Sequence, residues 1–139
     1  MDSTMARPKQ EHPTPAELEV LHVLWDGGAM TVRQVMEKLE ERPDRAYTSV
    51  MSLMNVMHDK GLLDREPEGR AFIYKPAVAR EITLRGMLGD LLHRAFAGSA
   101  SLLVSQLLDQ ANPKDDELAQ IRKAIKTYQR DAQREKEGE

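Results

Sequence analysis

Between Tyr47 and Lys75 the hydrophobic period changes within thirty residues, and that change restricts the folds open to this chain. Val50, Leu53, Met54 and Met57 recur at helical spacing, which predicts one helix from Tyr47 to about Lys60 with a single oily face. Gly61 follows, the residue that most readily ends a helix in a left-handed conformation. Leu62–Glu66 and Ala71–Lys75 then read as two short strands. Pro67-Glu68-Gly69-Arg70 between them has the chemistry of a tight turn, and Pro76 stops the second strand. A two-stranded hairpin is marginal in water by itself. This one needs helices to lie against.

Two such helices are written upstream. Thr14, Pro15 and Glu17 form a capping-box start, and Leu18, Leu21, Leu24 and Trp25 share one face to about Trp25. Asp26-Gly27-Gly28 ends that helix, and Ala29-Met30 reads as a very short strand. Thr31 caps a second helix running to about Glu41, with Val32, Val35, Met36 and Leu39 as its stripe and Arg42-Pro43-Asp44 as its breaker. Lys60, at the end of the third helix, reads as a charge favoured by the negative helix end. Three helices followed by a hairpin are the layout of a winged helix-turn-helix, in a mostly α chain.

Beyond Pro76 the chain is helical and leucine-rich. One helix is expected from Val78 to Phe96, with Leu84, Leu88, Leu91, Leu92 and Ala95 inward. Another is expected from Ser101 to Asp109, with Leu103, Leu107 and Leu108 inward. Asn112-Pro113 interrupts, and a last helix from Lys114 carries Leu118, Ile121, Ile125 and Tyr128 as a heptad-like seam. The expected organisation is an arm (1–13), a winged helix (14–76), a helical dimerisation region (77–130) and a charged, frayed tail (131–139). So few residues do not make an independent core. A symmetric homodimer through Leu88, Leu91, Leu92, Leu103, Leu107, Leu108, Leu118, Ile121 and Ile125 covers the apolar seams. The other arrangement is a monomer whose helices fold back on the N-terminal domain.

The residue inventory narrows the chemistry. The chain has no cysteine, which removes disulfides and thiolate chemistry and fits a reducing cytoplasm. No apolar run approaches the ~20 residues of a membrane span, and the first fifteen residues lack the apolar core of a signal peptide. His12, His22, His58 and His93 share no metal-ligand spacing, and no phosphate loop or catalytic motif occurs, so neither cofactor nor metal nor enzymatic activity is expected.

What remains is the polar face of the third helix. With its stripe buried, Thr48, Ser49, Met51, Ser52 and Asn55 are left outward, and such groups suit base edges in the major groove. Arg70 at the wing tip suits a phosphate or the minor groove, and Thr31, Arg33, Arg45 and Tyr47 suit the DNA backbone. Charge argues for restraint. The net charge is −3, and Arg42 to Lys75 carry six basic against five acidic residues. DNA binding on that footing needs local geometry and two copies at once. A winged helix used as a protein-docking module, without specific DNA binding, is the second reading and fits the acidic balance.

The order of motifs also carries a resemblance. E-x-x-V-L-x-x-L-W from Glu17, T-V-R-Q-V from Thr31, A-Y-T-S-V-M-S from Ala46, K-G-L-L-D-R-E from Lys60 and G-R-A-F-x-Y-x-P from Gly69 together resemble the winged-helix domain of BlaI/MecI-type repressors, the penicillinase repressor family. The likeness is close over residues 14–76 and looser to about Lys126. It implies a homodimeric transcriptional repressor on a double-stranded DNA dyad with TACA/TGTA-type half-sites, the third helix reading bases and the wing touching the backbone. It also implies a membrane metalloprotease sensor of β-lactams whose action leads to cleavage in the dimerisation region. The family's cleaved bond joins Asn to Phe; Gln106-Leu107 stands at the matching position here. The copper-responsive branch binds metal through C-terminal cysteines, which this chain lacks.

Overall fold

A computed structural model of the chain describes residues 12–39 and 46–138. These form two compact units, one ending at Gly89 and one beginning at Asp90.

The first unit opens with α1, Pro15–Gly27. Thr14 Oγ1 accepts from the Glu17 N–H at 3.1 Å, and Glu17 Oε1 accepts from the Thr14 N–H at 2.9 Å, so the two groups satisfy each other's orphan donors. α2, Val32–Lys38, starts the same way, with Thr31 and Gln34 in the reciprocal roles. Its expected end near Glu41 and the Arg42-Pro43-Asp44 breaker fall in residues 40–45, outside the described residues. α3, Tyr47–Asp59, ends in a Schellman turn: Gly61 takes φ +86°, and the Leu62 N–H reaches the Met57 carbonyl at 2.9 Å.

The hairpin follows as β1, Leu63–Glu68, antiparallel to β2, Ala71–Pro76, in a register from Leu63↔Pro76 to Glu68↔Ala71. Its turn is tighter than the expected Pro67–Arg70. Pro67 and Glu68 belong to β1, and only Gly69-Arg70 make the loop. Gly69 alone has positive φ, +63°, which is the type II′ pattern that suits the twist of a hairpin. Pro67 is tolerated because a two-stranded sheet has an open edge for a residue with no N–H. Met30 adds the short strand expected of it. Its N–H donates to the Tyr74 carbonyl at 2.9 Å and its carbonyl accepts from Tyr74 N–H at 2.7 Å.

The core gathers Val20, Leu21 and Leu24 of α1, Met30, Val32 and Val35, Val50, Met54 and Met57 of α3, and Leu63 and Tyr74 of the wing root. The stripes read from sequence supply most of it. Leu53 and Trp25 pack at its margin. One buried charge joins them: Glu17 is 2 % exposed and its Oε2 meets the Lys60 Nζ at 2.7 Å. Lys60 is thus an inter-helix ion-pair partner, more than the helix-end charge its position suggests.

The unit extends past Pro76. Trp25 Nε1 donates to the Val78 carbonyl at 3.0 Å, and Arg80 pairs with Asp26 and lies over the Trp25 ring. These bonds fasten residues 78–80 to α1, so the compact unit closes after Gly89 and takes in most of α4, Arg80–Asp90. The helix expected over 78–96 is α4 followed by a π-helical turn, Leu91–Ala95, in which the Phe96 N–H reaches back five residues to Leu91 at 3.3 Å.

The second unit continues with α5, Ala100–Ala111, capped by Ser99 and closed by left-handed Asn112, and α6, Asp115–Gly138. α6 runs through the segment expected as a frayed tail, where residues of good helix propensity and a Gln133–Glu137 side-chain bond at 3.0 Å extend the helix. None of its described residues, from Asp90 on, is buried. Leu91, Leu102, Leu107, Ile125 and Tyr128 are 45 %, 49 %, 54 %, 50 % and 75 % exposed.

Candidate nucleic-acid interface

α3 presents two faces because its apolar residues lie at helical spacing. Val50, Met54 and Met57 are fully buried, which turns Thr48, Ser49, Met51 and Ser52 to the surface. Ala46, before the helix, offers no side-chain cap, and Tyr47 at its first position is exposed.

A groove of about 430 Å³ opens between the start of α2, the outer face of α3 and strand β2. Thr31, Arg33, Tyr47, Met51, Asn55 and Arg70 line it, with Phe72 and Tyr74 on the wing side. Six of the ten residues nominated from sequence for DNA contact therefore meet in one concavity. Arg33 and Tyr47 are fixed relative to each other, the guanidinium lying 5.0 Å from the ring centroid. Thr48, Ser49 and Ser52 stand exposed on α3 outside that lining. Arg45 lies outside the described residues.

Asn55 sits differently from its neighbours. It is half-buried, and its Oδ1 accepts from Arg65 Nη1 at 3.0 Å and from the Tyr74 hydroxyl at 3.0 Å. Both lone pairs of that oxygen are engaged inside the protein. Arg65 is the residue sequence reasoning passed over. It was a charge on a strand, and only the register, which sets Arg65 opposite Tyr74, signals that it faces the aromatic side of the wing.

Among the described residues no group of three or more His, Cys, Asp or Glu could hold a metal, and no helix is long and apolar enough to cross a membrane. The helical seam residues are spread over both units. Leu88, Leu91 and Leu107 are exposed, while Leu92, Leu103, Leu108, Leu118 and Ile121 are half-buried. Gln106 and Leu107, both exposed, lie in the middle of α5.

Helix-turn-helix plus hairpin, with the polar face of α3 beside a groove lined by Arg33 and Arg70, defines a winged-helix protein of the DNA-binding type. The penicillinase repressor family model matches residues 13–127, and the chain belongs to that family. It is 32 % identical over 111 residues to the transcriptional regulator BlaI of Mycobacterium tuberculosis, covering 78 % of this chain and 79 % of that one. It is 22 % identical over 113 residues to the penicillinase repressor of Bacillus licheniformis, covering 81 % and 88 %. The solved Bacillus licheniformis BlaI monomer, in complex with the blaP half-operator, is similar at 26 % identity and TM-score 0.44, over 50 % of this chain and 85 % of that one.

Proposed function

We propose that this chain is a homodimeric, sequence-specific repressor that binds a DNA dyad. The observation that carries the reading is the groove between α2, α3 and β2, where Arg33, Tyr47 and Arg70 converge beside the exposed hydroxyls of α3. In this reading Thr48, Ser49, Met51 and Ser52 contact base edges, while Arg33, Tyr47 and Arg70 grip phosphates on either side. Thr31 and Arg45 belong to the same backbone-contacting set. The family's character as transcriptional repressors supports it.

Dimerisation rests on a separate observation. A second unit with no buried residue among those described leaves apolar side chains such as Leu107 and Ile125 half in water, where covering the remaining half of each is worth about 1 kcal/mol. A second copy supplies the missing cover, and it links two weak half-site contacts into one strong one. Relief by proteolysis, following a membrane metalloprotease sensor, would act on the same unit. The Gln106–Leu107 bond is helical, so α5 has to open before a protease can take it in extended form.

A mobility-shift titration with the chain's own upstream DNA, repeated at rising salt, tests the proposal. Retardation that weakens steeply with salt is expected, because displaced counterions are released. No retarded species at low salt would favour the second reading, a protein-docking winged helix, which the net charge of −3 otherwise suits.

A further inference from the structure

The wing has to be held at a fixed angle to α3 if the two are to meet one stretch of DNA. Its root is held by Leu63 and Tyr74 in the core and by the bridge to Met30. Further out, a two-stranded ribbon twists freely unless something ties it. Arg65, level with Tyr74 in the register, does so by reaching outward to Phe72. From β1 it crosses beneath the sheet, donating from Nη1 to Asn55 Oδ1 of α3 at 3.0 Å and to the Tyr74 Oη of β2 at 3.4 Å. Its guanidinium carbon lies 4.2 Å from the centroid of the Phe72 ring, also on β2. The Tyr74 hydroxyl closes the arrangement by donating to the same Asn55 oxygen at 3.0 Å. One half-buried cation therefore joins the recognition helix to both strands of the wing.

We propose that Arg65 is a positioning residue for DNA recognition, a clasp that sets the wing's angle so that Arg70 and the face of α3 engage the same site. The proposal rests on the DNA-binding reading above. It reassigns Asn55. Pairing with adenine through both amide atoms needs the oxygen as an acceptor, and here Arg65 and Tyr74 occupy it. Asn55 serves as the helix's anchor for the clasp, and base reading falls to Thr48, Ser49, Met51 and Ser52. A guanidinium is suited to the place. Its Nη1 bonds two acceptors while the planar group stacks on a ring, and a lysine ammonium has no flat face to stack.

Two measurements on the full chain test this. The first needs no DNA. Amide hydrogen exchange in residues 64–75 is expected to speed up about tenfold in Arg65→Met, the scale of losing a charged hydrogen bond, with α1 unchanged. Tyr74→Phe, which removes only the hydroxyl, is expected to move the same amides less, and it decides the matter if Arg65→Met does not fold. Wing amides that exchange as in the unmodified protein in both variants would overturn the clasp. The second is a double-mutant cycle in operator affinity between Arg65→Met and Arg70→Ala. Positioning predicts that Arg70→Ala loses most of its effect in the Arg65→Met background, with partial recovery of the coupling in Arg65→Lys. Additive losses that track the unfolding midpoint would show a merely structural role and overturn the proposal. An unmodified protein that binds no operator DNA would overturn the DNA-binding reading and the positioning role with it, while hydrogen exchange still decides whether the clasp exists.

Discussion

Glu17 and Ser52 illustrate opposite uses of a polar side chain. Glu17 is almost wholly buried, and both its oxygens are taken, one by the Thr14 N–H and one by the Lys60 ammonium. Replacing Lys60 by Met leaves that carboxylate buried and half satisfied. Stability is expected to fall by about 3 kcal/mol, the lower end for a broken buried pair because the Lys60 side chain is a third exposed; the midpoint of urea unfolding measures it. Ser52 is exposed and contributes nothing to the core. Ser52→Ala is expected to leave that midpoint unchanged while weakening operator binding by about 1–3 kcal/mol, with discrimination lost at one base pair. Unaltered affinity and base preference would remove Ser52 from the reading set. The Glu17 cap was legible because Thr14 lies three residues away. Its Lys60 partner was not, since helix packing alone brings together residues 43 apart. The bonds of Asn55 to Arg65 and Tyr74 were hidden for a related reason. A polar residue on a helix's outer face has the same sequence signature whether it points to solvent or to a neighbouring strand.

At the scale of elements, periodicity located α1, α2 and α3 and both strands of the wing, because each must bury one face against the others. The turn was legible in composition but not in extent. Proline looked like part of the loop, yet an unpaired edge accepts it within β1. The two-residue loop depends on Gly69 at φ +63°. Gly69→Val is expected to cost about 1–2 kcal/mol through left-handed strain on a β-branched residue. It should also displace Arg70, reducing operator affinity on all sequences alike and lowering the slope of its salt dependence by about one. A salt slope identical to that of the unmodified protein would show that Arg70 touches no phosphate. The π-helical turn at Leu91–Ala95 had no such signal. Adjacent Leu91 and Leu92 satisfy a helix of either pitch, and the choice shows only in the carbonyl that the Phe96 N–H finds.

At the scale of the whole molecule, the proposed DNA binding depends on a second copy. The segment from Arg42 to Lys75, with six basic and five acidic residues, carries too little charge to hold DNA by attraction alone. The apolar residues of the second unit were legible as seams, though a single chain does not show what covers them. Among them Leu107 is 54 % exposed, and the proposed dimer places its cover there. Leu107→Glu is expected to give monomers by sedimentation at concentrations where the unmodified chain is a dimer, since a charge cannot be desolvated at an apolar interface without a partner. The most direct test is a fluorescence-anisotropy titration of the full chain on a labelled dyad and on a single half-site, at one fixed salt concentration, for the unmodified protein and for Leu107→Glu. The dyad should bind more tightly by about 10²–10⁴-fold in the unmodified protein, and that advantage should vanish in Leu107→Glu while half-site affinity is retained. Equal affinity of the unmodified protein for dyad and half-site, or a dyad advantage that survives Leu107→Glu, would contradict recognition by a linked pair of winged helices.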